Sequence, residues 1–342
     1  MLSRIWSVNC VRNEHEMEIA IAVYDLTKQY GKILAVDNIS FTVNQGEVFG
    51  FLGPNGAGKT TTIRMLTGQT RPTSGMVTVA EYDVVRESIK AKERVGVVPE
   101  VSNVYDEMSA WDNLVFAAQL YRVAKNEREK RAKELLELFG LYERRADRAG
   151  NFSKGMKRRL TIAAALIHKP GILFLDEPTS GLDVQSSRMI RDLTKDLNKN
   201  GVTVFLTTHY IEEADQLCQR VAMINQGKIV AVDNPEKLKT SVEKHQIIVV
   251  SFDQTQNLEH KLASLKYVSK AVQVGDKFRL HVTNASEAVP FLVDFARENG
   301  LKIISINTLN PSLEDAFVEM TGLSSEVMTT EKEQGKKAQS LG

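Results

Sequence analysis

The sequence predicts an α/β fold built on a buried parallel sheet, followed by a small α+β domain. Two unbroken apolar runs, Ile172–Leu175 and Val202–Leu206, flank a helical pattern over Val184–Asn198. Such runs are typical of parallel strands that are covered on both faces, and the three elements make a strand–helix–strand unit. A glycine-rich loop between a strand pattern and a helical pattern supports this interpretation. After residue 240 the patterns follow the order βαββαβ, which is the ferredoxin-like order.

Between residues 19 and 240 the chain alternates between strand patterns and helical patterns. Apolar alternation or a continuous apolar run identifies each strand, and apolar recurrence at three and four residues identifies each helix. The predicted helices are Lys59–Gln69, two segments within 110–140, and Val184–Asn198. The predicted strands are, in order, Ile19–Tyr24, Ile39–Val43, Val48–Leu52, Ile172–Leu175, Val202–Leu206, and a hairpin formed by Val221–Ile224 and Lys228–Ala231.

The part of the chain after residue 240 has no phosphate-binding loop and no cluster of acid, base or metal-ligand residues. We therefore expect it to regulate or stabilise the protein rather than to catalyse a reaction. Its predicted elements are the strand Ile247–Phe252, a helix near Leu258–Leu265, the strands Val268–Val274 and Phe278–Val282, a helix near Glu287–Glu298, and the strand Ile303–Ile306.

These patterns divide the chain into four segments. Residues 1–16 are either an N-terminal extension or the product of a misassigned start before Met17, and they lack the apolar region of a signal peptide. Residues 17–240 and 245–322 are the two predicted domains. Residues 323–342 are rich in Ser, Thr, Glu, Lys and Gln without apolar periodicity, so we expect a disordered tail.

Composition excludes several classes of function. The 342 residues carry 44 Lys and Arg against 43 Asp and Glu, a net charge of +1, so we expect no nucleic-acid partner. The segment Asn126–Phe139 could be a basic patch, but its glutamates interleave with its cations and favour a solvated helix face. Two cysteines far apart in sequence do not make a disulfide framework, and no apolar run reaches the roughly 18 residues of a membrane span.

The segment Gly53–Thr60 matches the pattern G-x-x-x-x-G-K-[ST] between a predicted strand and a predicted helix. Its glycines allow backbone N–H groups to converge on an anion, and the helix that follows contributes its positive end. We expect Lys59 to reach the β- and γ-phosphates and the Thr60 hydroxyl to bind Mg²⁺; the alternative is a simple glycine-rich turn. The residues expected to hold the phosphates are Gly53, Pro54, Asn55, Gly56, Ala57, Gly58, Lys59, Thr60 and Thr61.

Two carboxylates follow the apolar strand Ile172–Leu175. Asp176 is placed to hold Mg²⁺ directly or through water, and the adjacent Glu177 is placed to polarise an attacking water molecule. Taken alone, this pair would more often be a helix start or a loop, but the phosphate loop in the same chain favours the role in catalysis. His209 follows the other buried strand and could reach a γ-phosphate at the carboxyl edge of the sheet, although a lone histidine there would favour a structural role.

Over about residues 17–240 these motifs, in this order, resemble the nucleotide-binding subunits of ATP-binding-cassette (ABC) transporters. Gly53–Thr60 resembles the Walker A loop, Asp176 and Glu177 the Walker B pair, and His209 the switch histidine. The resemblance adds Tyr30 as the aromatic residue that stacks on adenine, Phe152–Met156 as the signature segment, and Ser180–Asp183 as the D-loop, with Asp183 as its acidic residue.

This resemblance implies a P-loop ABC-ATPase cassette with a RecA-like core, an antiparallel β subdomain and a helical signature subdomain. It also implies ATP and Mg²⁺ as cofactors and a second copy of the chain as a partner. In the implied head-to-tail dimer, Ser153 and Gly155 contact the nucleotide that is held by the partner's Lys59.

The sequence departs from the usual family pattern at two places. Lys154 and Met156 replace a glycine and a glutamine of the signature segment, and Glu100 replaces the usual glutamine of the Q-loop. Glu100 keeps an oxygen that could bind Mg²⁺, while a solvated loop carboxylate is the alternative. Both variants, and Pro311–Phe317 near the end of the second domain, resemble the branch that serves ABC-2-type exporters.

The resemblance implies that ATP hydrolysis powers export through a separate integral membrane permease, which we expect to be of ABC-2 type. The chain would then be cytoplasmic and peripheral on the inner face of the cell membrane. Residues 101–150 would receive the cytoplasmic helices of the permease. The alternative is a soluble ABC ATPase that acts in translation or DNA repair.

Overall fold

The computed structural model describes residues 18–241, 246–254, 258–309 and 312–322. The predicted extension 1–16 and the predicted tail 323–342 lie outside these residues. The described chain divides into two compact units between Asn234 and Pro235. No helix within the described ranges is long and apolar enough to cross a membrane.

The first unit contains the elements that the motifs connect. Its strands are β1 (Ile19–Tyr30), β2 (Ile33–Asn44), β3 (Val48–Leu52), β4 (Ser74–Val79), β5 (Tyr82–Asp83), β6 (Val95–Val98), β7 (Ile172–Asp176), β8 (Thr203–Thr208), β9 (Arg220–Asn225) and β10 (Lys228–Asp233). Its α-helices are α1 (Lys59–Leu66), α2 (Ser88–Glu93), α3 (Ala110–Leu120), α4 (Lys125–Leu138), α5 (Lys154–Leu166), α6 (Val184–Lys199) and α7 (Ile211–Leu217).

Two sheets and a group of helices organise the first unit. A six-stranded sheet has the order β10-β9-β3-β8-β7-β6, in which only β10 runs antiparallel to its neighbour. A four-stranded antiparallel sheet has the order β2-β1-β4-β5. Helices α3, α4 and α5 pack on one another. These three parts confirm the predicted α/β core, antiparallel β subdomain and helical subdomain.

Aromatic packing joins the two sheets. Phe41 of β2 stacks on Phe49 of β3 with ring centroids 5.4 Å apart, and it also contacts Phe51 and Phe205. Phe174 of β7 packs on Phe205 at 5.5 Å. Such rings bury large apolar areas and are among the strongest contributors to a protein core. The cluster therefore fixes β3, β7 and β8 beside one another, with their carboxyl ends at one edge.

The second unit is a four-stranded antiparallel sheet with helices. Its elements are α8 (Pro235–Thr240), β11 (Gln246–Phe252), α9 (Glu259–Ala263), β12 (Val268–Val274), β13 (Lys277–Val282), α10 (Ala285–Glu298), β14 (Ile303–Leu309) and α11 (Leu313–Thr321).

The sheet order of the second unit is β12-β13-β11-β14, which is the arrangement that the βαββαβ order predicts for a ferredoxin-like fold. Alternate strand residues such as Ile248, Phe278 and Leu280 face a buried core that also includes Leu262 of α9 and Leu292 of α10. Because α8 packs on α11, the contacts assign Pro235–Thr240 to this unit, while the sequence places the boundary at residue 240. The domain boundaries inferred from sequence stay a prediction.

Candidate functional site

The glycine-rich loop 53–58 connects the end of β3 to the start of α1. Gly53 N–H donates to the Thr208 carbonyl at 3.3 Å, which joins the start of the loop to the end of β8. Gly58 has φ 108, and a Cβ at this position would lie 2.6 Å from the Ala35 carbonyl oxygen. Only glycine fits there, because both the backbone conformation and the close approach of β2 exclude a side chain. The loop thus leads directly into the N-terminus of α1.

Lys59 is the first residue of α1 and is 5% exposed. Its Nζ donates to the carbonyls of Gly53 at 2.7 Å and Pro54 at 3.0 Å, so the ammonium lies across the base of the loop. The same Nζ lies 3.1 Å from Glu177 Oε1. The structure therefore brings the predicted phosphate-binding lysine and the predicted catalytic carboxylate into direct contact.

Asp176 ends β7 and is 4% exposed. Its Oδ1 accepts hydrogen bonds from the hydroxyls of Thr207 at 2.6 Å and Thr60 at 3.3 Å. A carboxylate oxygen and a hydroxyl oxygen this close together are suitable ligands for one Mg²⁺ ion. Mg²⁺ usually keeps several water ligands and binds only one or two protein groups. The geometry of Thr60 and Asp176 thus fits the predicted metal site.

Glu177 is held in an unusual backbone conformation. Its φ is 47, in the left-handed region, and its N–H donates to the Thr207 carbonyl and to Thr207 Oγ1, both at 3.1 Å. Such strain for a non-glycine residue is often found at functional sites. The turn directs the carboxylate toward His209, whose Nδ1 lies 2.8 Å from Glu177 Oε2.

The ionisation of Glu177 is set by these neighbours. Burial raises the pKa of its carboxyl, but the hydrogen bond from His209 and the charge of Lys59 outweigh burial and hold the pKa below its ordinary value. An ionised carboxylate only accepts hydrogen bonds, so His209 donates from Nδ1, which leaves Nε2 for another partner. At neutral pH this arrangement can activate a water molecule by accepting its proton.

Ser153 caps α5, and Asp183 caps α6. Ser153 Oγ accepts a hydrogen bond from Met156 N–H at 3.3 Å. The Asp183 carboxylate accepts from Ser186 N–H at 2.8 Å and Ser186 Oγ at 2.7 Å, and these bonds lower its pKa. A Cβ at Gly155 would lie 2.5 Å from Ser186 Oγ. The signature segment therefore packs on the start of α6, directly after the D-loop, and a side chain at position 155 would displace the Ser186 hydroxyl.

The structure does not bring Tyr30 or the Glu100 side chain into contact with these residues. Tyr30 ends β1 with its ring exposed, and Lys28 Nζ lies 4.8 Å from the ring centroid. Glu100 is exposed, and it lines a cavity of about 420 Å³ together with Lys154 and Ser180. The two departures from the family pattern, Glu100 and Lys154, therefore share one cavity.

Sequence reasoning missed two buried polar residues beside the site. Arg158 of α5 donates to backbone carbonyls at the carboxyl ends of β6 and β7, those of Pro99, Asp176 and Pro178. Glu213 of α7 is 1% exposed and accepts a hydrogen bond from Thr208 Oγ1 at 2.7 Å. Burial raises the Glu213 pKa. Both residues lie in helices, α5 and α7, that are absent from the predicted elements. Charged side chains usually face solvent, so no local signal identifies these two as buried.

Two families of known proteins match parts of this chain. Residues 36–180 match the family described as ABC transporter, and residues 234–321 match the C-terminal domain family described as ATP-binding protein DrrA1-3-like. The linearmycin resistance ATP-binding protein LnrL of Bacillus subtilis is 38% identical over 301 residues, which cover 87% of this chain and 97% of the relative. The Nod factor export ATP-binding protein I of Cupriavidus metallidurans is 35% identical over 307 residues, which cover 90% and 98%.

A solved structure is also similar to this chain. A dimeric ATP-binding cassette in a post-hydrolysis state, bound to ADP and Pi, superposes with a TM-score of 0.57 at 29% identity. The superposition covers 63% of this chain and 98% of that chain. The predicted family resemblance is confirmed: the chain belongs to the ATP-binding proteins of ABC transporters, which are ATPases.

Proposed function

We propose that this chain hydrolyses ATP to power export through a separate membrane permease of ABC-2 type. The observation that carries the proposal is the convergence of Lys59, Asp176, Glu177 and His209 at the carboxyl edge of one sheet. The relatives act in linearmycin resistance and Nod factor export. These names support export and do not support the alternative role in translation or DNA repair.

Each residue of the site has a proposed role. The loop 53–58, with Thr61 after it, and Lys59 bind the phosphates of ATP, while Thr60 and Asp176 hold Mg²⁺. When bound, Mg²⁺ neutralises charge on the phosphate oxygens. Glu177 accepts a proton from the attacking water, and His209 orients Glu177 through its Nδ1–H and presents Nε2 toward the reacting phosphate.

We propose that two copies of the chain close on two ATP molecules. Ser153 is exposed at the N-terminus of α5, where a hydroxyl and free N–H groups can bind phosphate oxygens. Gly155 keeps the signature segment close to Ser186 of its own chain, at the start of α6. In the dimer, Ser153 and Gly155 contact the nucleotide bound by the other copy, and Tyr30 stacks on the adenine of its own nucleotide.

An apolar groove in the helical subdomain is the proposed docking surface for the permease. It is a cavity of about 180 Å³ between α3, α5 and the segment after β6, and its lining includes Tyr105, Phe116 and Leu120. Leu120 is 63% exposed and Tyr105 is 52% exposed. Exposed apolar residues around a groove often mark a protein interface. This surface would place the chain on the cytoplasmic face of the membrane.

Co-purification tests the proposal. A tagged chain expressed in its own cell should retain an integral membrane protein after mild detergent extraction, identified by mass spectrometry. Leu120→Glu should reduce the retained permease about tenfold or more, because a charge would be buried at the interface. Met76→Glu is the matched control, since Met76 is 54% exposed on β4, and it should retain the permease. Recovery of ribosomes or DNA-repair proteins in place of a membrane protein would contradict the proposal.

A further inference from the structure

Arg158 is a buried arginine on helix α5, with 3% of its surface exposed. Its guanidinium donates hydrogen bonds to the backbone at the end of β7. Nη2 donates to the carbonyls of Asp176 at 2.8 Å and Glu177 at 2.9 Å, and Nε donates to the Pro178 carbonyl at 2.9 Å. Three consecutive peptide groups around the catalytic carboxylate are thus held by one side chain.

The same guanidinium also donates hydrogen bonds to the segment after β6. Nη1 donates to the carbonyl of Pro99 and to the carbonyl of Glu100, the latter at 3.2 Å. Because β6 and β7 are adjacent parallel strands, these two segments leave the same edge of the sheet side by side. Arg158 therefore connects helix α5 to both of them.

The number of donors explains why this residue is an arginine. A guanidinium has five N–H donors in a rigid planar fork, and here five backbone carbonyls accept from it. A lysine ammonium has three donors on a single flexible atom, so it could satisfy only part of this set. With lysine at this position, some of the five carbonyls would lose their donor, and the backbone segments that carry them would be held less firmly.

The environment of the guanidinium keeps it charged. Burial lowers the Arg158 pKa to about 10, and the charges of Asp176, Glu100, Glu213 and Glu177 oppose that shift. Arg158 is therefore protonated at neutral pH. Hydrogen bonds from an ionised donor are roughly twice as strong as those between neutral groups.

We propose that Arg158 is a positioning residue for ATP hydrolysis, which fixes the backbone of Glu177 and of the segment at Glu100 relative to helix α5. Glu177 has a strained left-handed φ of 47, and the bonds from Arg158 to the flanking carbonyls help to keep it there. Since Ser153 caps the same helix, movement of the signature segment reaches Glu177 through Arg158. This last step rests on the dimer proposed above.

The test is the variant Arg158→Lys in the full-length chain. We expect its kcat to fall about 10- to 100-fold, since misplacing a catalytic group by about 1 Å has that order of effect. Its affinity for ATP should stay within about threefold of wild type, because Lys59 and the phosphate loop do not depend on Arg158. Steady-state kinetics and isothermal titration with ATP measure the two quantities separately.

Arg159→Lys is the matched control. Arg159 lies next to Arg158 on α5, and its Nη1 donates at 2.8 Å to the carbonyl of Phe139, at the end of α4, rather than to a catalytic segment. We expect Arg159→Lys to keep kcat within about twofold of wild type.

Equal kcat values for Arg158→Lys and wild type would overturn the inference while leaving the proposed transport function intact. An equal loss of ATP affinity and kcat, with a matching loss of folded protein, would also overturn it, because that is the result of a purely structural role.

A measurement on the wild-type chain covers the case in which Arg158→Lys does not fold. Amide hydrogen exchange of peptides spanning 100–105 and 177–183 should change together when ATP and Mg²⁺ are added, since one side chain binds both segments. A change confined to one of the two peptides would overturn the link.

Discussion

Lys59 and Glu177 form a buried ion pair, with Nζ 3.1 Å from Oε1 and both residues 5% exposed. At this separation and an effective dielectric constant near 20, the attraction between two unit charges is about 5 kcal/mol before desolvation is counted. The phosphates of ATP would compete with Glu177 for the Lys59 ammonium. In the proposed function, nucleotide binding would therefore release the carboxylate, which would then be free to act on water.

The first prediction concerns Glu177→Gln. The amide has the shape of the carboxylate but accepts no proton at neutral pH, so hydrolysis should fall about 10²- to 10⁴-fold, the usual contribution of a general base. ATP should bind at least as tightly as in wild type, because Lys59 no longer has a competing anion. ATPase assays measure the first effect, and size-exclusion chromatography with ATP should show a trapped dimer. Glu212→Gln, at an exposed position on α7, should behave as wild type; near wild-type turnover by Glu177→Gln would remove Glu177 from its proposed role.

The second prediction tests whether each ATP site is shared between two copies. Lys59→Ala damages the phosphate loop and Ser153→Ala damages the signature donor, so each homodimer has two defective sites and should be inactive. A mixed dimer places both lesions in one site and leaves the other intact. Mixing the two inactive proteins should therefore restore part of the activity, up to about half of the wild-type rate on the assumption that one site turns over alone. A covalently linked mixed dimer that is no more active than either parent contradicts shared sites.

Local patterns were sufficient to predict the central elements of the site. The strand β3 and the start of α1 follow from a short apolar run and from the glycine–lysine pattern, because loop geometry and phosphate chemistry restrict those residues strongly. The strands β7 and β8 follow from continuous apolar runs, which buried parallel strands require. Once β7 is identified, Asp176 and Glu177 are placed at its carboxyl end.

Other features depend on contacts that are distant in sequence. The predicted first strand ends at Tyr24, whereas β1 continues to Tyr30 through irregular pairing with β2 that hides the alternation. The strand β6 has four residues and includes a glycine, so its pattern is too short to identify. Helix α5 is not among the predicted elements, and Arg158 is one of several basic residues in its segment. Only packing against β6 and β7 gives Arg158 its carbonyl partners.

The third prediction is a pH dependence of stability that comes from Glu213. Its folded pKa is raised by burial above the ordinary value of 4.5. The unfolded chain releases this proton near pH 4.5 while the folded chain keeps it, so the free energy of unfolding should fall as pH rises through that range toward the raised pKa.

Glu213→Gln removes the ionisation, so its free energy of unfolding relative to wild type should be higher at pH 7 than at pH 4.5. Thermal unfolding followed by circular dichroism at both pH values measures the difference, with Glu212→Gln as the exposed control. A gain of the same size at both pH values would mean that the pKa of Glu213 is not raised.

The last prediction concerns Glu100, whose side chain is exposed while its carbonyl accepts from Arg158. Near the metal, a carboxylate attracts Mg²⁺ and repels phosphate oxygens, and each charge pair at about 4 Å contributes roughly 4 kcal/mol at an effective dielectric constant near 20. The double charge of Mg²⁺ should make attraction dominate. Glu100→Ala should then raise the Mg²⁺ concentration needed for half-maximal activity and slow hydrolysis, whereas Glu100→Gln keeps an oxygen and should stay close to wild type.

The measurement for the Glu100 variants is the ATPase rate against Mg²⁺ concentration for all three proteins. Superimposable curves for wild type and Glu100→Ala would place the carboxylate in solvent, outside the metal site.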